Sequence, residues 1–437
     1  MRKKLWVETY GCQMNVADSE LMEGVLAANG YDQVEAPEQA DVILVNTCAI
    51  REHAEQRVLG RVAELNRVKQ SRPETVIGVC GCMAQRLGER LIERAQYVDM
   101  VIGPDAYRSL PQLIEQAAQS DGGVVDVDLR PSENYEGLET RRQSRVSAWI
   151  PIQRGCNYRC TFCIVPYTRG DEKNREPGAV LEEVERLAGQ GITEFTLLGQ
   201  TVNSYRHGDW DFPRLLRAVA RLPGVRRVRF TSPHPNDLTP ELVETMAEEP
   251  AVCPQLHLPV QSGSNAVLKR MVRRYTREEY LEKVELLRRR IPEIALTTDI
   301  IVGFPGEDED DFEATLDLVR QVRYDDTFTF RYSPREGTPS TRMNGDLIVE
   351  QEVAQERLER LIELVRRIAA EKNVAEVGRT VEVLVEKPAK RGDLMQARTE
   401  TNKVVLISGP EDWIGRYLKV ALTGTTGATF TGFPIEP

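Results

Sequence analysis

Strand-like and helix-like segments alternate along most of this chain, and that alternation limits its possible folds more than any other sequence feature. Within the first 120 residues, each strand-like apolar run is followed by an amphipathic, helix-like stretch, and the runs span 5–11, 41–47, 75–81 and 97–103. This order is typical of a parallel sheet covered by helices. We therefore predict an N-terminal doubly wound parallel α/β domain over residues 1–120.

A second alternation begins at Trp149, with strand-like runs at 149–155, 194–200, 225–232, 255–263, 295–306 and 326–334. Six strand–helix units are too many for half of a doubly wound domain and too few for a closed eightfold barrel. We predict a partial, open (β/α)6 barrel of the TIM type over residues 149–375, with its site at the carboxyl ends of the strands. A polar connector that contains Gly and Pro spans 121–148, and a long helix over 348–376 leads out of the barrel.

The C-terminal part, residues 376–437, changes character. Its sequence consists of short strand-like runs joined by Gly, Asp and Pro turns, beginning with TVEVLVEK. This pattern predicts a small, OB-like β-barrel, an architecture that often binds oligonucleotides.

The composition restricts the class of protein. The chain has 437 residues, of which 41% are hydrophobic and 29% charged, as in ordinary soluble globular proteins with several domains. It has no run near the roughly 18 apolar residues of a membrane span, and its N-terminus lacks the apolar segment of a secretory signal. We expect a cytoplasmic protein without membrane contact, in which clustered thiols serve metal or redox chemistry.

Charge gives weaker guidance about partners. The net charge of −11 argues against non-specific binding of nucleic acid but permits a local basic groove. Three stretches are candidates for such a groove: Arg141, Arg142 and Arg145; Arg226, Arg227 and Arg229; and Lys269, Arg270, Arg273, Arg274 and Arg277. The alternative is that they are solvated faces balanced by nearby Glu.

Three cysteines, Cys156, Cys160 and Cys163, follow the first predicted barrel strand at a CxxxCxxC spacing. Three thiolates are one fewer than a closed tetrahedral metal site needs, whereas a 4Fe-4S cluster held by three thiolates keeps one iron free for another ligand. The alternative is a zinc site completed by a histidine, for which the candidates are His207, His234 and His257. Zinc ribbons normally use two CxxC pairs, and a second pair is missing near this loop, so we favour the 4Fe-4S cluster.

A second set of cysteines is dispersed in the N-terminal domain. Cys12, Cys48 and Cys82 lie just after the first, second and third predicted strands. Parallel strands bring their carboxyl ends to one edge of the sheet, so these thiols should converge on a second cluster with an open iron. Cys80 would point to the same face as Cys82, and the residues alone leave either as the third ligand, with a buried hydrophobic role as the alternative for Cys80.

A CxxxCxxC loop after the first strand of a six-unit barrel resembles the radical S-adenosylmethionine (SAM) superfamily. The resemblance implies that the free iron at the Cys156 cluster binds SAM, and that one electron cleaves SAM to a 5′-deoxyadenosyl radical. It also implies SAM contacts for a set of residues in the barrel loops, namely Phe162, Gly199, Gln200, Gln261, Ser262 and Gly303. The alternative for these residues is ordinary turn chemistry.

The whole layout resembles the methylthiotransferases, and within them the MiaB-type tRNA branch. The motifs that carry this resemblance are TYGCQMN, NTCAIRE, GCMAQR, CTFCIVPYTRG, GQTVNSY, SPHP, HLPVQSGS and TTDIIVGFPGE. In that family the third ligand of the auxiliary 4Fe-4S cluster lies in Gly-Cys-Met, which implies Cys82. The C-terminal β-barrel is similar to a TRAM domain, which implies an RNA-binding role.

The resemblance implies transfer of a methylthio group to C2 of N6-(dimethylallyl)adenosine at position 37, next to the anticodon of tRNA. In the family one SAM methylates a sulfur of the auxiliary site, and cleavage of a second SAM removes hydrogen from C2. The expected partners are the anticodon stem-loop of tRNA and an electron donor such as flavodoxin or ferredoxin, and we expect a monomer. The alternatives are the same chemistry on threonylcarbamoyl-adenosine or a ribosomal-protein aspartate, and a zinc-stabilised RNA-binding protein without catalysis.

Overall fold

The computed structural model describes residues 2–49, 52–120, 122–343, 345–390 and 392–436, with no description of the side chains of 52–54 and 436. Ile50 and Arg51 of the NTCAIRE motif, and Asp121 of the connector, lie outside the described residues. The chain forms a parallel α/β domain, a partial parallel barrel and a closed antiparallel-rich barrel, in the predicted order.

The N-terminal domain is built on a parallel sheet of six strands in the order β2-β1-β3-β4-β5-β6. The strands are β1 Lys3–Thr9, β2 Tyr31–Gln33, β3 Val42–Thr47, β4 Val76–Gly81, β5 Met100–Ile102 and β6 Val124–Asp126. Every residue of β3 and β4 is buried, as expected for strands covered by helices on both faces. The sequence did not predict β2 and β6, because these edge strands have only three residues each.

Five helices cover this sheet: α1 Gln13–Ala28, α2 Glu52–Ser71, α3 Cys82–Leu87, α4 Glu89–Arg94 and α5 Leu110–Gln119. The sequence pattern predicts a helix over Ala17–Asn29, whereas α1 begins at Gln13, four residues earlier and directly after Cys12. Helix α3 likewise begins at Cys82, directly after β4. Two of the predicted ligand positions therefore lie at the junction between a strand and the helix that follows it.

The central domain is the predicted partial barrel. Six parallel strands form two three-stranded sheets, ordered β13-β10-β7 and β14-β15-β16. The barrel strands are β7 Ser147–Pro151, β10 Glu194–Leu198, β13 Arg227–Phe230, β14 Gln255–His257, β15 Ala295–Val302 and β16 Asp326–Arg331. Short strand pairs decorate the loops: β8 Gln153–Arg154 with β9 Lys173–Asn174, and β11 Arg206–His207 with β12 Trp210–Asp211.

Helices surround the barrel and bury one continuous apolar core against its strands. They are α6 Val165–Thr168, α7 Pro177–Gly189, α8 Phe212–Ala220, α9 Pro240–Glu248, α10 Asn265–Arg270, α11 Arg277–Arg290, α12 Glu309–Val322 and α13 Gln351–Glu376. Local sequence explains their starts. Thr276 and Asp308 cap α11 and α12 through reciprocal hydrogen bonds with the residue three positions later.

The C-terminal domain is a closed five-stranded barrel in the order β17-β18-β19-β21-β20. Its strands are β17 Thr380–Pro388, β18 Leu394–Thr399, β19 Val404–Ser408, β20 Tyr417–Thr425 and β21 Thr429–Glu436. Closure pairs every strand on both sides and leaves no free edge. The predicted small β-barrel is therefore confirmed.

Two arginines of the basic stretch after residue 225 fasten this barrel to the central domain. Arg227 and Arg229 are 2% and 6% exposed, and they donate to the carbonyl oxygens of Arg398 and Glu400 at 3.0 and 2.7 Å. Tyr417 stacks under the guanidinium of Arg226, 3.6 Å from its ring centroid. These side chains hold two domains together, so this stretch is no free phosphate-binding surface.

Among the described residues, no helix has the length and apolar character needed to cross a membrane.

Candidate active site

The three dispersed cysteines of the N-terminal domain converge as predicted. Cys12, Cys48 and Cys82 follow β1, β3 and β4, which are neighbours in the parallel sheet. The strand register aligns Thr47 with Gly81, so the next residues, Cys48 and Cys82, leave the sheet at the same level. The three thiols, named here the N-terminal triad, therefore lie at one edge, where parallel α/β domains bind ligands.

Two buried asparagines fix this edge. Asn15 Nδ2 donates to Asn46 Oδ1 at 3.1 Å and to the Thr47 carbonyl oxygen at 3.2 Å, while Asn46 Nδ2 donates to the Asn15 carbonyl oxygen at 2.8 Å. Asn15 Oδ1 in turn accepts from the backbone N–H of Cys12 at 3.3 Å. Because both side chains are fully buried, this network ties the first turn of α1 to the end of β3.

A glycine with positive φ precedes three of the six predicted ligands. Gly11, Gly81 and Gly155 have φ of +135°, +95° and +74°, and a Cβ at any of them would lie within 2.4 Å of a neighbouring oxygen. An L side chain rarely adopts such backbone conformations. The Gly-Cys dipeptide thus allows a sharp turn that leads each thiol off its strand.

Electrostatics favour a thiolate at Cys12. The hydrogen bond with the Cys48 side chain and the charge of Arg169 lower the pKa of the Cys12 thiol to about 6, although burial opposes this change. Burial raises the pKa of the Cys82 thiol, and the charge of Arg169 opposes that rise. A thiolate is the form that ligates metal.

The CxxxCxxC loop forms the second group of thiols, named here the barrel triad. Gly155 and Cys156 follow β8, and the Cys156 N–H donates to the Gly170 carbonyl oxygen at 3.1 Å. The Cys163 N–H donates to the Cys160 carbonyl oxygen at 3.0 Å, which closes the loop as a tight turn. Burial raises the pKa of Cys163 to about 12.

Both triads line a single cavity between the N-terminal and central domains, with a volume of about 200 Å³. Its walls include five of the six predicted ligands, Cys12, Cys48, Cys82, Cys156 and Cys163. The domains are in direct contact here, because Ile164 packs against Ala49 and Cys82. Two groups of thiols far apart in sequence therefore face one enclosed space.

The predicted SAM-contact residues divide into two groups. Gly199 and Gln200 line the cavity, and the Gln200 Oε1 atom is buried without a hydrogen-bond partner. The other four residues are described in the structure but do not line this cavity: Phe162, Gln261, Ser262 and Gly303.

Each of these four residues also has contacts within the protein, and their predicted contact with SAM stays a prediction. Phe162 packs edge-on against Phe304 at 6.4 Å between ring centroids. Ser262 Oγ lies 3.3 Å from Thr315 Oγ1, and a Cβ on Gly303 would approach Ala354 Cβ to 2.6 Å. Gln261 adopts φ +71° in a bridge to Ile300.

Sequence reasoning missed four residues that contact sulfurs of the predicted ligands, and one of them is Asn15, whose Oδ1 accepts from Cys12 Sγ at 3.4 Å. Arg169 Nε donates to Cys82 Sγ at 3.2 Å, Arg273 Nη1 donates to Cys160 Sγ at 3.4 Å, and Thr201 Oγ1 lies 3.1 Å from Cys156 Sγ. Arg169 is the last residue but one of the CTFCIVPYTRG motif, so its nearness to the cysteines was a usable signal. Arg273 was considered only as part of a basic stretch.

Within the described ranges, no three His, Cys, Asp or Glu side chains are placed to hold a single metal ion, and this applies to the two thiol triads as well as to the zinc alternative. Two candidate histidines lie away from the barrel triad's loop or have another contact, since His207 is exposed on a hairpin and His257 Nε2 lies 3.4 Å from Asp299 Oδ1. The third, His234, stacks at 3.9 Å on Tyr158 of that loop, and its buried Nε2 has no hydrogen-bond partner.

The two remaining cysteines are core residues. Cys80 is fully buried in β4 and Cys253 is 4% exposed, and burial raises the pKa of the Cys253 thiol to about 11. Cys80 packs in the apolar cluster under the sheet, while Cys82 reaches the cavity.

Comparisons with known families follow the three domains. Residues 150–319 match the Radical SAM superfamily, residues 4–103 match a family described as uncharacterized protein family UPF0004, and residues 374–432 match the TRAM domain. Solved structures share the fold over much of the chain. A radical S-adenosylmethionine methyltransferase, TsrM, from Kitasatospora setae aligns with TM-score 0.56 and 16% identity, covering 78% of this chain and 77% of that one.

Curated relatives match along nearly the whole chain. A tRNA-2-methylthio-N(6)-dimethylallyladenosine synthase from Thermoanaerobacter sp. (strain X514) is 48% identical, covering 98% of this chain and 92% of the relative. Relatives of the same name from Moorella thermoacetica and Carboxydothermus hydrogenoformans are 46% and 45% identical, covering 97% and 96% of this chain and 96% and 97% of the relatives. The chain therefore belongs to the family of tRNA-2-methylthio-N(6)-dimethylallyladenosine synthases.

Proposed function

We propose that this protein transfers a methylthio group to C2 of N6-(dimethylallyl)adenosine at position 37 of tRNA, next to the anticodon. The observation that carries the proposal is the cavity shared by the two thiol triads. Sulfur insertion at an aromatic C–H carbon requires a site that generates a radical and a site that supplies sulfur, both within reach of one base. The family's curated members carry the name of this activity.

The residues present fit two 4Fe-4S clusters. The N-terminal triad would hold one and the barrel triad the other, with three thiolates each and one iron open. Bound there with SAM, these groups supply one-electron cleavage of SAM and a sulfur for transfer. The unpartnered Oε1 of Gln200 is a buried acceptor that a ligand N–H would satisfy.

The chain's own side chains shape the reaction space. Met14, Ile164, Val165 and Leu198 line the cavity with apolar surface, which excludes water from a reactive centre. His234, beside the barrel triad's loop, stays neutral, because burial and the nearby positive charge of Arg273 lower its pKa to about 2.

The partners follow from the same chemistry. The substrate is the anticodon stem-loop of tRNA, and the TRAM-like barrel would contact its phosphates and bases. The electron for SAM cleavage would come from a reductant such as flavodoxin or ferredoxin. We expect the enzyme to act as a monomer in the cytoplasm.

Single cysteine replacements test the division of labour between the triads. Cys156→Ala should retain the N-terminal cluster but form no 5′-deoxyadenosine, whereas Cys12→Ala should still cleave SAM and form no methylthio product. Iron should fall in each variant from about eight to about four per chain, as expected for loss of one cubane. The assay is anaerobic turnover with SAM and prenylated tRNA, followed by mass analysis of nucleosides.

Cys80→Ala is the matched control, since Cys80 lies two residues from Cys82 but is buried in the core. It should keep its iron and its product. Methylthio product from Cys12→Ala would refute the assigned roles, and a zinc-loaded wild-type protein without iron would refute the cluster assignment itself.

A further inference from the structure

One arginine of the central domain reaches across the cavity to the N-terminal triad. Arg169 lies six residues after Cys163, yet its Nε donates to Cys82 Sγ at 3.2 Å. Its Nη2 donates to Asp18 Oδ2 on α1 at 2.6 Å, and the side chains of this ion pair are each 3% exposed. A single guanidinium therefore links a predicted ligand of one cluster, a helix of the same domain and the loop that carries the other cluster's ligands.

The third arm of this guanidinium has no partner in the protein. Arg169 Nη1 is buried without a hydrogen bond, and Arg169 lines the cavity between the triads. A buried, charged N–H without an acceptor is costly. The geometry thus calls for an anionic acceptor at or beside Cys82.

Further buried charges lie behind Arg169. Arg154 is 3% exposed and stacks on the Tyr135 ring at 3.8 Å, and Lys173 Nζ lies 2.6 Å from Asp105 Oδ2. Arg154, Arg169 and Lys173 carry three positive charges in this buried region, and Asp18 and Asp105 carry two negative ones.

Glu133, whose side chain is 10% exposed, is a third carboxylate near this group and acts on Arg154 and Lys173. The requirement for an acceptor therefore comes from the unpartnered Nη1 of Arg169 and its place in the cavity wall.

We propose that Arg169 is a positioning residue that sets the reduction potential of the N-terminal cluster and holds Cys82 toward the central domain. The proposal rests on the assignment of that triad under the proposed function. Reduction adds one electron, and hence one negative charge, to the cluster, and the fixed positive charge of Arg169 favours that state. Loss of the charge should make reduction harder, and loss of its Asp18 partner should make reduction easier.

The test isolates the N-terminal cluster in the full chain. In a Cys156→Ala/Cys160→Ala/Cys163→Ala parent, the cluster is titrated anaerobically with dithionite as the electron source and followed by EPR. Arg169→Met should lower the equilibrium constant for reduction of the cluster at least tenfold. For one electron, this is a shift of the midpoint potential by about 59 mV to more negative values. Arg169→Lys should recover at least half of this shift, because it restores the charge.

The control is Arg159→Met, which removes the same charge from the barrel triad's loop at a side chain that is 51% exposed. It should leave the midpoint unchanged. Asp18→Asn provides a second measurement with the opposite sign, since it keeps Arg169 but removes its counter-ion. The midpoint potential of Asp18→Asn should become more positive. If Arg169→Met does not hold a cluster, the Asp18→Asn measurement alone tests the proposal.

The proposal is overturned if the Arg169→Met protein holds a cluster and has the same midpoint potential as the parent. It is also overturned if Asp18→Asn shows no positive shift, and in both cases the proposed function is unaffected. A parent that binds no iron overturns the ligand assignment and, with it, the proposal.

Discussion

Replacing Gly81 by alanine should disrupt the N-terminal cluster site. Gly81 has φ +95° and ψ −161°, a conformation that other residues essentially do not adopt, at a cost of about 1–3 kcal/mol. The added Cβ would lie 2.4 Å from the Thr47 carbonyl oxygen, whereas ordinary contact begins at 3.4 Å. Strands β3 and β4 must move apart by the difference of 1.0 Å to restore ordinary contact. Overpacking of this kind adds a destabilisation of about 1–3 kcal/mol.

The combined cost is about 2–6 kcal/mol, a large share of the stability of a typical domain. Its location matters as much, because Thr47 and Gly81 immediately precede Cys48 and Cys82 and are paired in the sheet. Separating them displaces two ligands at once. Iron after anaerobic reconstitution should therefore fall from about eight to about four per chain, and the urea midpoint should fall with it.

The matched control is Gly60→Ala, in the middle of α2, where an added Cβ meets nothing within 4 Å. It should retain its iron and gain about 0.5–1 kcal/mol, as expected for alanine in a helix interior. Full iron loading and an unchanged midpoint in Gly81→Ala would show that this turn does not position the ligands.

Two further predictions concern the domain interfaces. Glu23 is 1% exposed, its Oε2 has no hydrogen-bond partner, and burial raises its pKa to about 7. The folded protein therefore holds this proton more tightly than the unfolded chain does. The stability that results is fully present below the unfolded pKa and is lost as the pH rises toward 7. Glu23→Gln should consequently raise the unfolding free energy at pH 8 by up to about 3 kcal/mol and leave it unchanged near pH 4, and equal effects at both pH values would contradict this assignment. Tyr417→Ala removes the ring under Arg226 and the hydroxyl 3.0 Å from Thr193 Oγ1, so limited proteolysis near residue 378 should become several-fold faster while SAM cleavage is retained. An unchanged cleavage rate would mean that the arginine stretch does not fasten the barrel.

The architecture was predictable because it follows from periodicity. Alternating strand and helix patterns indicated both α/β domains, and the cysteines just after β1, β3 and β4 indicated one edge of the sheet. The short edge strands β2 and β6 were missed, since three residues carry too little pattern to be detected. The start of α1 at Gln13 was missed because its first turn is fixed by the tertiary hydrogen bonds of Asn15 and Asn46, which sequence periodicity does not report.

Charged residues were harder to interpret than thiols. A thiol spacing specifies a cluster through local geometry, whereas an arginine's role depends on what folds against it. Arg142, Arg227 and Arg273 belong to stretches considered for phosphate binding, and each is buried against a partner in the structure. Arg142 Nη1 lies 2.7 Å from Glu20 Oε2, inside the contact between α1 and the connector. The sequence alone could not separate these from exposed cations such as Lys269 and Arg274.

Buried ion pairs give the contact between the first two domains a property that an apolar contact would lack. An apolar interface tolerates small sliding motions, because its energy depends on area rather than on specific partners. Separating a buried pair such as Asp18–Arg169 or Glu20–Arg142 instead leaves an uncompensated charge, which typically costs about 3–5 kcal/mol. Both pairs start from α1, which begins directly after Cys12; Asp18 pairs with the central domain and Glu20 with the connector that leads into it. The separation of the two triads is therefore held near one value, which a reaction divided between two sites and a single base requires.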